Sequence, residues 1–205
     1  MKNKNILLLG SNSHSRKMLL KDARIEFMEI AHGADEEQVD KSLDFKSLLQ
    51  AIARHKMNHV IVPAGKEGDV CFVLTADSMV QDSTGIVHGK PVDRADAVQK
   101  IKALSGKSLT GTAFCLQKKR FVNDVWHTEM VKENCIVTEC YLDISDDWID
   151  RYFENTRSLD GVAGGIAVEL YGSQFLQSIN GSYTAILGLP MFELRQALDE
   201  LGFWN

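Results

Sequence analysis

The segment 70–77 reads VCFVLTAD, a nearly continuous apolar run that ends in a carboxylate. An apolar run without polar alternation is typical of a strand that is buried on both faces, as in sheets covered by helices on both sides. Ligands of open α/β sheets bind beyond the carboxyl ends of such strands. We therefore predict a central strand over 70–76 with Asp77 at its carboxyl end, where the carboxylate either caps a turn or takes part in catalysis.

Helix and strand patterns alternate through the rest of the chain. Apolar residues recur at a helical period between 42 and 60, and helix-opening residues precede three later helical patterns. The alternation predicts an α/β fold in which a mixed twisted sheet is flanked by helices. The predicted strands lie near 6–9, 25–30, 70–76, 109–116, 131–141 and 175–179, with a polar connection over 117–130. The first predicted helix ends near Lys21, and the second covers 42–60. Three further helices are predicted to begin at Asp93, Ser145 and Pro190, and Trp148 is predicted on the buried side of the helix that begins at Ser145.

The composition excludes several classes of function. The 205 residues, 44 % of them hydrophobic, suit one domain or two closely packed lobes. A formal net charge of -5 argues against a general nucleic-acid-binding protein, which would present a basic surface. The first apolar run, 6–9, is too short for a signal peptide or a membrane span, and the four cysteines show no CxxC spacing. We expect a cytoplasmic protein with reduced cysteines that binds neither nucleic acid nor membrane.

The loop after the first strand, GSNSHSRK at 10–17, combines small polar side chains with two adjacent cations. Free backbone N–H groups at the start of a helix bind anions, and small residues let a phosphate approach the backbone. Ser11, Ser13, Arg16 and Lys17 are therefore candidates for phosphate binding. The same residues also fit a capped turn with solvated charges, and the GxxxxGK[ST] pattern of a Walker A loop is absent.

Two lysines stand in unusual positions for a surface charge. Lys56 follows Ile52 by four residues, which places it on the apolar stripe of its helix. Lys90 lies between a glycine and a proline, and the proline restricts its backbone to an extended form. Each lysine is a candidate phosphate contact. Alternatively, the Lys56 ammonium reaches the surface and the turn around Lys90 is an ordinary loop.

A glycine-rich stretch at 161–172 contains Glu169. Its glycines either let a ligand lie close to the backbone or mark a mobile loop. The carboxylate of Glu169 can accept two hydrogen bonds from a guanine-like pair of N–H groups. The cysteines and histidines form no recognisable metal or nucleophile pattern, and a GxSxG elbow is absent.

Taken in order, these segments resemble the Maf family, also called septum-formation-inhibitor-like proteins, which are nucleoside triphosphate pyrophosphatases. The resemblance covers the chain from about 6 to 201 and does not depend on any single motif. The matching segments are ILLLGSNSHSRKMLL at 6–20, the acidic pair Asp35-Glu36, IARHKM at 52–57, TADSMV at 75–80, GIVHGKPVDRADAVQKIKALSG at 85–106, and GLP at 188–190.

The resemblance implies a Maf/ITPase-like fold, one domain over 1–205 in which two lobes enclose a cleft, and it suggests a homodimer. It also implies a mechanism in which Asp77 takes a proton from the water that attacks the α-phosphorus, releasing pyrophosphate and a nucleoside monophosphate. A divalent metal, Mg²⁺ or Mn²⁺, would be held mostly by phosphate oxygens with help from Glu36. The residues implied to bind the triphosphate are Ser11, Ser13, Arg16, Lys17, Lys56 and Lys90.

Apart from the specificity positions, the chain departs from the family pattern at three positions. His14 replaces the usual proline of the first motif, and Leu170 replaces a glycine. Lys17 replaces the second arginine, so it keeps the charge but loses the bidentate phosphate geometry.

The positions that resemble specificity determinants, Ser15, Ser78 and Glu169, give conflicting signals. Ser78 stands where the pyrimidine-triphosphate subgroup carries threonine and the methylated-guanine subgroup carries glutamine, and Ser15 lacks the aromatic residue or arginine expected there. Glu169 resembles the methylated-guanine subgroup. We predict a modified, 7-methyl-GTP-like substrate. The alternatives are a dTTP or UTP pyrophosphatase and a nucleotide-binding regulator of cell division without efficient hydrolysis.

Overall fold

The computed structural model describes residues 5–156 and 162–205, and these residues form an α/β structure with a seven-stranded mixed sheet and flanking helices, as predicted. The strands are β1 (Leu7–Leu9), β2 (Phe27–Glu29), β3 (Val70–Gln81), β4 (Val87–His88), β5 (Gly106–Val122), β6 (Val125–Leu142) and β7 (Leu176–Asn180). The helices are α1 (His14–Asp22), α2 (Phe45–Asn58), α3 (Arg94–Leu104), α4 (Asp146–Asn155), α5 (Tyr183–Ile186) and α6 (Met191–Glu200). Short 3-10 turns cover Glu36–Gln38, Ala163–Gly165 and Leu170–Phe175.

The strand order is β2-β1-β3-β5-β6-β7, and β4 pairs with β3. β1 runs parallel to both of its neighbours, and its last residue, Leu9, lies opposite Leu74 of β3. The hairpin strand β4 is antiparallel to β3, and β7 is antiparallel to β6. No helix in the described parts of the chain combines the length and the apolar character that a membrane crossing requires.

The described residues divide into two compact units. The first contains residues up to 77 together with 113–135 and 188–205, and the second contains 78–112 and 136–187 apart from the undescribed 157–161. Gly161, the start of the predicted glycine-rich stretch, lies outside the described residues.

Side-chain alternation along β3 organises the core of the first unit. Phe72 and Leu74 point to one face and pack with β1, α1 and α6, whereas Val73 points to the other face and packs with Met57 of α2. Both faces of β3 are therefore buried over this part of the strand, as the apolar run predicts. In the second unit α3 and α4 pack through Ile101, Leu104, Ile149 and Tyr152.

β3 is longer than predicted, so the placement of Asp77 at the end of a strand is wrong. The strand continues to Gln81 because its last residues pair with β4, Val80 opposite His88. A two-residue partner strand gives no detectable pattern in the sequence. The parallel pairing with β1 nevertheless stops at Leu74. Asp77 therefore lies just beyond the carboxyl end of the parallel part of the sheet.

The polar connection predicted over 117–130 is also wrong, because β5 and β6 extend through it. Asn123 and Asp124 have φ angles of 51° and 61°, which permit a tight two-residue hairpin. The polar side chains that indicated a loop belong to a hairpin whose second strand is exposed from 127 to 131.

The prediction that Trp148 is buried on α4 is wrong as well. Its side chain is 39 % exposed, and the Arg151 guanidinium lies 4.8 Å from its ring centroid.

Candidate functional site

The first unit buries a cluster of opposite charges beside β3. The Lys56 ammonium donates to Asp77 Oδ1 at 2.6 Å and lies 2.9 Å from Glu36 Oε1. The side chains of Lys56 and Asp77 are only 9 % and 10 % exposed, whereas Glu36 is 42 % exposed. Charges removed from water require partners, and here one ammonium serves two carboxylates.

The packing of α2 on β3 sets this geometry. Thr75 and Asp77 lie on the same face of β3, and the Thr75 hydroxyl donates to the Ala53 carbonyl of α2 at 2.7 Å. Ile52 and Ala53 are buried, and Lys56 follows one turn later on the same stripe. The Lys56 ammonium therefore does not reach the surface, so that alternative interpretation of its position is wrong.

Arg16 adds a second buried cation. Its Nε donates to the Gly188 carbonyl at 2.8 Å, and its Nη1 donates to Ser11 Oγ at 2.9 Å. Burial lowers the pKa of the Arg16 guanidinium, and the negative charges of Asp77 and Glu36 oppose that effect. Arg16 thus joins the loop at 10–17 to the GLP segment at 188–190, and its charge acts on the same two carboxylates as Lys56.

The loop at 10–13 lies directly against β3. The Gly10 N–H donates to the Leu74 carbonyl at 2.8 Å, and a Cβ at Gly10 would approach Val60 Cγ1 to 2.9 Å. The Ser13 hydroxyl caps α1 by accepting from the Arg16 N–H at 3.5 Å, so the cap forms even though His14 replaces the family's proline. The capped-turn interpretation therefore holds for Ser13, while Ser11 contacts the buried guanidinium.

His32 belongs to the same region and was not predicted from the sequence. Its half-buried ring carries a buried Nδ1 that has no hydrogen-bond partner among residues 5–156 and 162–205. Burial lowers the pKa of the His32 imidazole, and the Lys56 ammonium lowers it further. The sequence offers one weak signal, its position three residues before the acidic pair that begins at Asp35.

Two other predicted residues of the first unit have different surroundings. Lys17 forms an ion pair with Glu29 at 3.1 Å, on the exposed side of α1 and β2. Ser15 is half-buried within α1. The cluster therefore brings together Ser11, Arg16, Glu36, Lys56 and Asp77 of the predicted site, while Lys17 has an acidic partner outside it.

Ser78, Lys90 and Glu169 lie in the second unit. The Thr112 hydroxyl donates to the Ala185 carbonyl at 2.7 Å, and Ser78 Oγ lies 2.7 Å from Thr112 Oγ1. A hydroxyl carries one hydrogen, so Ser78 is the donor in its bond to Thr112. The Ser78 side chain is therefore oriented by a two-step chain of hydrogen bonds that ends at α5.

The turn around Lys90 is held from two sides. The Lys100 ammonium donates to the Lys90 carbonyl at 3.0 Å, and the Gly164 N–H donates to the Gly89 carbonyl at 3.1 Å. Lys90 itself is exposed, and its ammonium makes no hydrogen bond or ion pair with the residues that the structure describes. The backbone is fixed while the charge remains accessible to an anion.

We expect Gly164→Ala to destabilise the protein by about 2–5 kcal/mol. Gly164 has a φ of 73°, and an added Cβ would lie 2.5 Å from Leu104 Cδ1 and 2.7 Å from Val80 Cγ2. The left-handed conformation costs an L residue ~1–2 kcal/mol, and overpacking costs ~1–3 kcal/mol. Urea unfolding measures the loss. The control is Gly89→Ala, because a Cβ there meets nothing within 4 Å, and equal losses in the two variants would contradict the steric explanation.

The substitution of glycine by Leu170 falls on a strained backbone position. Leu170 has a φ of 52°, which explains why glycine is the usual residue, and its side chain is 88 % exposed. The preceding residue, Glu169, is half-buried, and its carbonyl accepts from the Gly172 N–H at 3.2 Å. The loop therefore keeps a glycine-like conformation despite the leucine.

Asp77 and Glu36 supply carboxylate oxygens of the kind that bind a divalent metal. Within the described residues, no group of three or more His, Cys, Asp or Glu side chains is placed to hold a metal ion. Mg²⁺ is commonly held by one or two carboxylates together with substrate phosphates, and two carboxylates that share one ammonium fit that requirement.

Two cavities are lined by other residues. One of about 260 Å³ in the second unit is lined by residues that include Trp148 and Phe175, and one of about 220 Å³ in the first unit is lined by residues that include Phe114 and Glu193. Neither is lined by Asp77, Lys56 or Arg16. The buried charges, rather than these cavities, identify the candidate site.

Comparison with known proteins matches nearly the whole chain to one family. The family described as "Maf-like protein" matches residues 6–201. The chain is 32 % identical to a dTTP/UTP pyrophosphatase of Neisseria meningitidis serogroup A, and the alignment covers 97 % of this chain and 96 % of that protein. Proteins of the same name from Shewanella oneidensis and Fusobacterium nucleatum are 33 % and 28 % identical, with 96 % of this chain and 98 % and 96 % of those proteins covered.

Proposed function

The chain belongs to the Maf family, and from that premise we propose that it is a nucleotide pyrophosphatase that hydrolyses dTTP and UTP to the nucleoside monophosphate and pyrophosphate. The observation that carries the proposal is the buried pair of Asp77 and Lys56, which has Arg16 and Glu36 around it. Burial of two cations beside a carboxylate suits a site that binds a polyanion and activates water next to it.

In the proposed reaction the cations position and neutralise the triphosphate. Arg16 and Lys56 are held in place by their hydrogen bonds before substrate arrives, so little reorganisation is needed during the reaction. Lys90, on its fixed turn, has an exposed ammonium and remains a predicted phosphate contact. Phosphoryl transfer depends mainly on positioning and on charge neutralisation, and this set of side chains supplies both.

Asp77 acts on the attacking water. Its carboxylate accepts the proton as the water oxygen bonds to the α-phosphorus, the bond to the bridging oxygen breaks, and pyrophosphate leaves. Lys56 fixes the orientation of that carboxylate through the 2.6 Å hydrogen bond. Asp77 and Glu36 would hold a divalent metal together with the phosphates, and the metal would supply further neutralisation of phosphate charge.

The choice of substrate rests on the relatives and on Ser78. The relatives described above are named dTTP/UTP pyrophosphatases, and none of those names supports the 7-methyl-GTP-like substrate predicted from Glu169. Ser78 carries a hydroxyl where the pyrimidine subgroup carries threonine. We therefore adopt the alternative prediction, a pyrimidine nucleoside triphosphate.

A nucleotide panel tests this choice. With Mg²⁺ or Mn²⁺ present, we expect dTTP and UTP to give the highest kcat/KM for pyrophosphate release, above GTP and 7-methyl-GTP. Glu169→Gln serves as a matched variant and should leave that ranking unchanged. A ranking led by 7-methyl-GTP and lost in Glu169→Gln would refute the pyrimidine proposal and restore the original prediction.

The same panel distinguishes a pyrophosphatase from a nucleotide-binding regulator. A nucleotide-binding regulator would bind nucleotide in calorimetry but release no pyrophosphate with any of the substrates and metals. The departures at Lys17 and Leu170 motivate this alternative. The buried Asp77 favours the enzyme, because phosphate binding alone would not require a carboxylate beside the Lys56 ammonium.

A further inference from the structure

We propose that His32 is a substrate-binding residue of this pyrophosphatase, whose Nδ1–H donates a hydrogen bond to a phosphate oxygen of the nucleoside triphosphate. The inference rests on the proposed function, and it assigns a role to a residue that neither the sequence motifs nor the relatives' names indicate. Three features of the first unit carry it.

The backbone of His32 is held in a fixed position by the segment that follows α2. His32 forms an isolated antiparallel bridge with Val60. The residues on either side are anchored as well, because the Ile61 N–H donates to the Ala31 carbonyl at 2.9 Å and the Gly33 N–H donates to the His59 carbonyl at 3.0 Å. The ring therefore projects from a backbone segment that hydrogen bonds hold on both sides of His32.

The buried Nδ1 of His32 lacks a hydrogen-bond partner among the described residues. A buried polar atom that stays unpaired is unfavourable, and most such atoms are hydrogen-bonded. Unpaired polar atoms in native structures often mark places where a ligand or water completes the bonding. The free nitrogen is thus available for a hydrogen bond to a ligand atom.

The charges around the ring identify the class of that ligand atom. The charges of Lys56, Arg16, Glu36 and Asp77 all affect the pKa of His32, so the ring lies within electrostatic range of the charged cluster. The two carboxylates already contact the Lys56 ammonium. The two cations attract an anion, and phosphate oxygens carry no hydrogen, so they can only accept. A ring nitrogen that bears a hydrogen is the complementary donor.

The protonation state agrees with this role. Burial and the Lys56 ammonium both lower the pKa of His32, so at neutral pH the ring is an uncharged imidazole with one N–H. A neutral donor adds a hydrogen bond without repelling Lys56 or Arg16, whereas a third buried cation would be unfavourable in the absence of substrate.

The test compares His32→Leu and His32→Asn with wild type, because the asparagine amide nitrogen lies close to the position of Nδ1 and leucine has no donor. His32→Leu should lower kcat/KM for dTTP roughly 10- to 100-fold, the effect of one hydrogen bond to a charged group. His32→Asn should recover most of that loss. His127→Leu is the control, because His127 is exposed on β6, and it should leave kcat/KM unchanged.

A second readout does not depend on turnover. In protein with ¹⁵N-labelled imidazoles, inorganic pyrophosphate should shift the Nδ1 resonance of His32 and leave that of His127 in place. Absence of that shift would overturn the proposal, as would normal kcat/KM in His32→Leu, or a loss that asparagine fails to recover and that tracks a lower melting temperature.

The experiments distinguish a failure of the proposed function from a failure of the proposed role of His32. If wild-type protein releases no pyrophosphate from any nucleotide, the proposed function is wrong, and the NMR experiment still decides whether His32 binds a phosphate anion. If wild type hydrolyses dTTP while His32→Leu is unaffected and the resonance does not move, only the role of His32 is wrong.

Discussion

Replacing Asp77 by asparagine is expected to lower kcat for dTTP hydrolysis by about 10²–10⁴-fold, the usual contribution of a positioned general base. Asparagine preserves the shape of the side chain, and its carbonyl oxygen can still accept from the Lys56 ammonium, so the local packing is retained. The amide cannot take a proton from water. KM should change little, because phosphate binding depends mainly on the cations.

The measurement is pyrophosphate release under saturating dTTP, with circular dichroism and calorimetric binding of a non-hydrolysable analogue to verify that the variant folds and binds. Asp69→Asn is the matched control, because Asp69 is exposed just before β3 and takes no part in the cluster. Near-normal turnover in Asp77→Asn would remove the assignment of Asp77 as the base.

The predicted α/β architecture follows from local patterns that the structure preserves. Asp93 caps α3 by accepting from the Asp96 N–H, and Gly202, with a φ of 75°, follows the end of α6. These are interactions between residues close in sequence, so their signals are local. β4 and α5, with two and four residues, are too short to produce a hydrophobic period, and the length of β3 depends on its pairing with β4.

The site was predictable where a residue type conflicted with its local environment. Lys56 on an apolar stripe and Asp77 after an apolar run are such conflicts, and both side chains are buried together. The partners of Lys17 and His32 depend instead on tertiary packing. Glu29 and Val60 are distant in sequence from those residues, and no spacing rule connects them.

Arg16 combines a local sequence signal with a contact that depends on tertiary packing. Its position in the loop at 10–17 indicated phosphate binding, but the sequence could not show that its Nε donates to the carbonyl of Gly188. That bond spans most of the chain and connects the first and last matching segments of the family. The GLP segment therefore helps to hold a cation of the site, in addition to preceding α6.

Replacing Lys56 by methionine is expected to destabilise the protein by about 3–5 kcal/mol and to abolish most activity. Methionine keeps much of the aliphatic packing but removes the ammonium that contacts both carboxylates, and an unpaired buried charge is costly. Most of the loss should come from Asp77, because Glu36 is 42 % exposed and water can solvate it. Urea unfolding at neutral pH gives the change in the free energy of unfolding.

The double variant Lys56→Met with Asp77→Asn distinguishes this explanation from a loss of packing. It removes the unpaired charge, so it should recover much of the stability lost in Lys56→Met while remaining inactive, a coupling that only interacting residues show. Lys46→Met, at an exposed position of α2, should stay within about 0.5 kcal/mol of wild type. If the effects of the two substitutions simply add, the Lys56–Asp77 contact makes no net contribution to stability. The buried pair would then be maintained for catalysis alone, since a carboxylate beside two buried cations has no other evident role in this core.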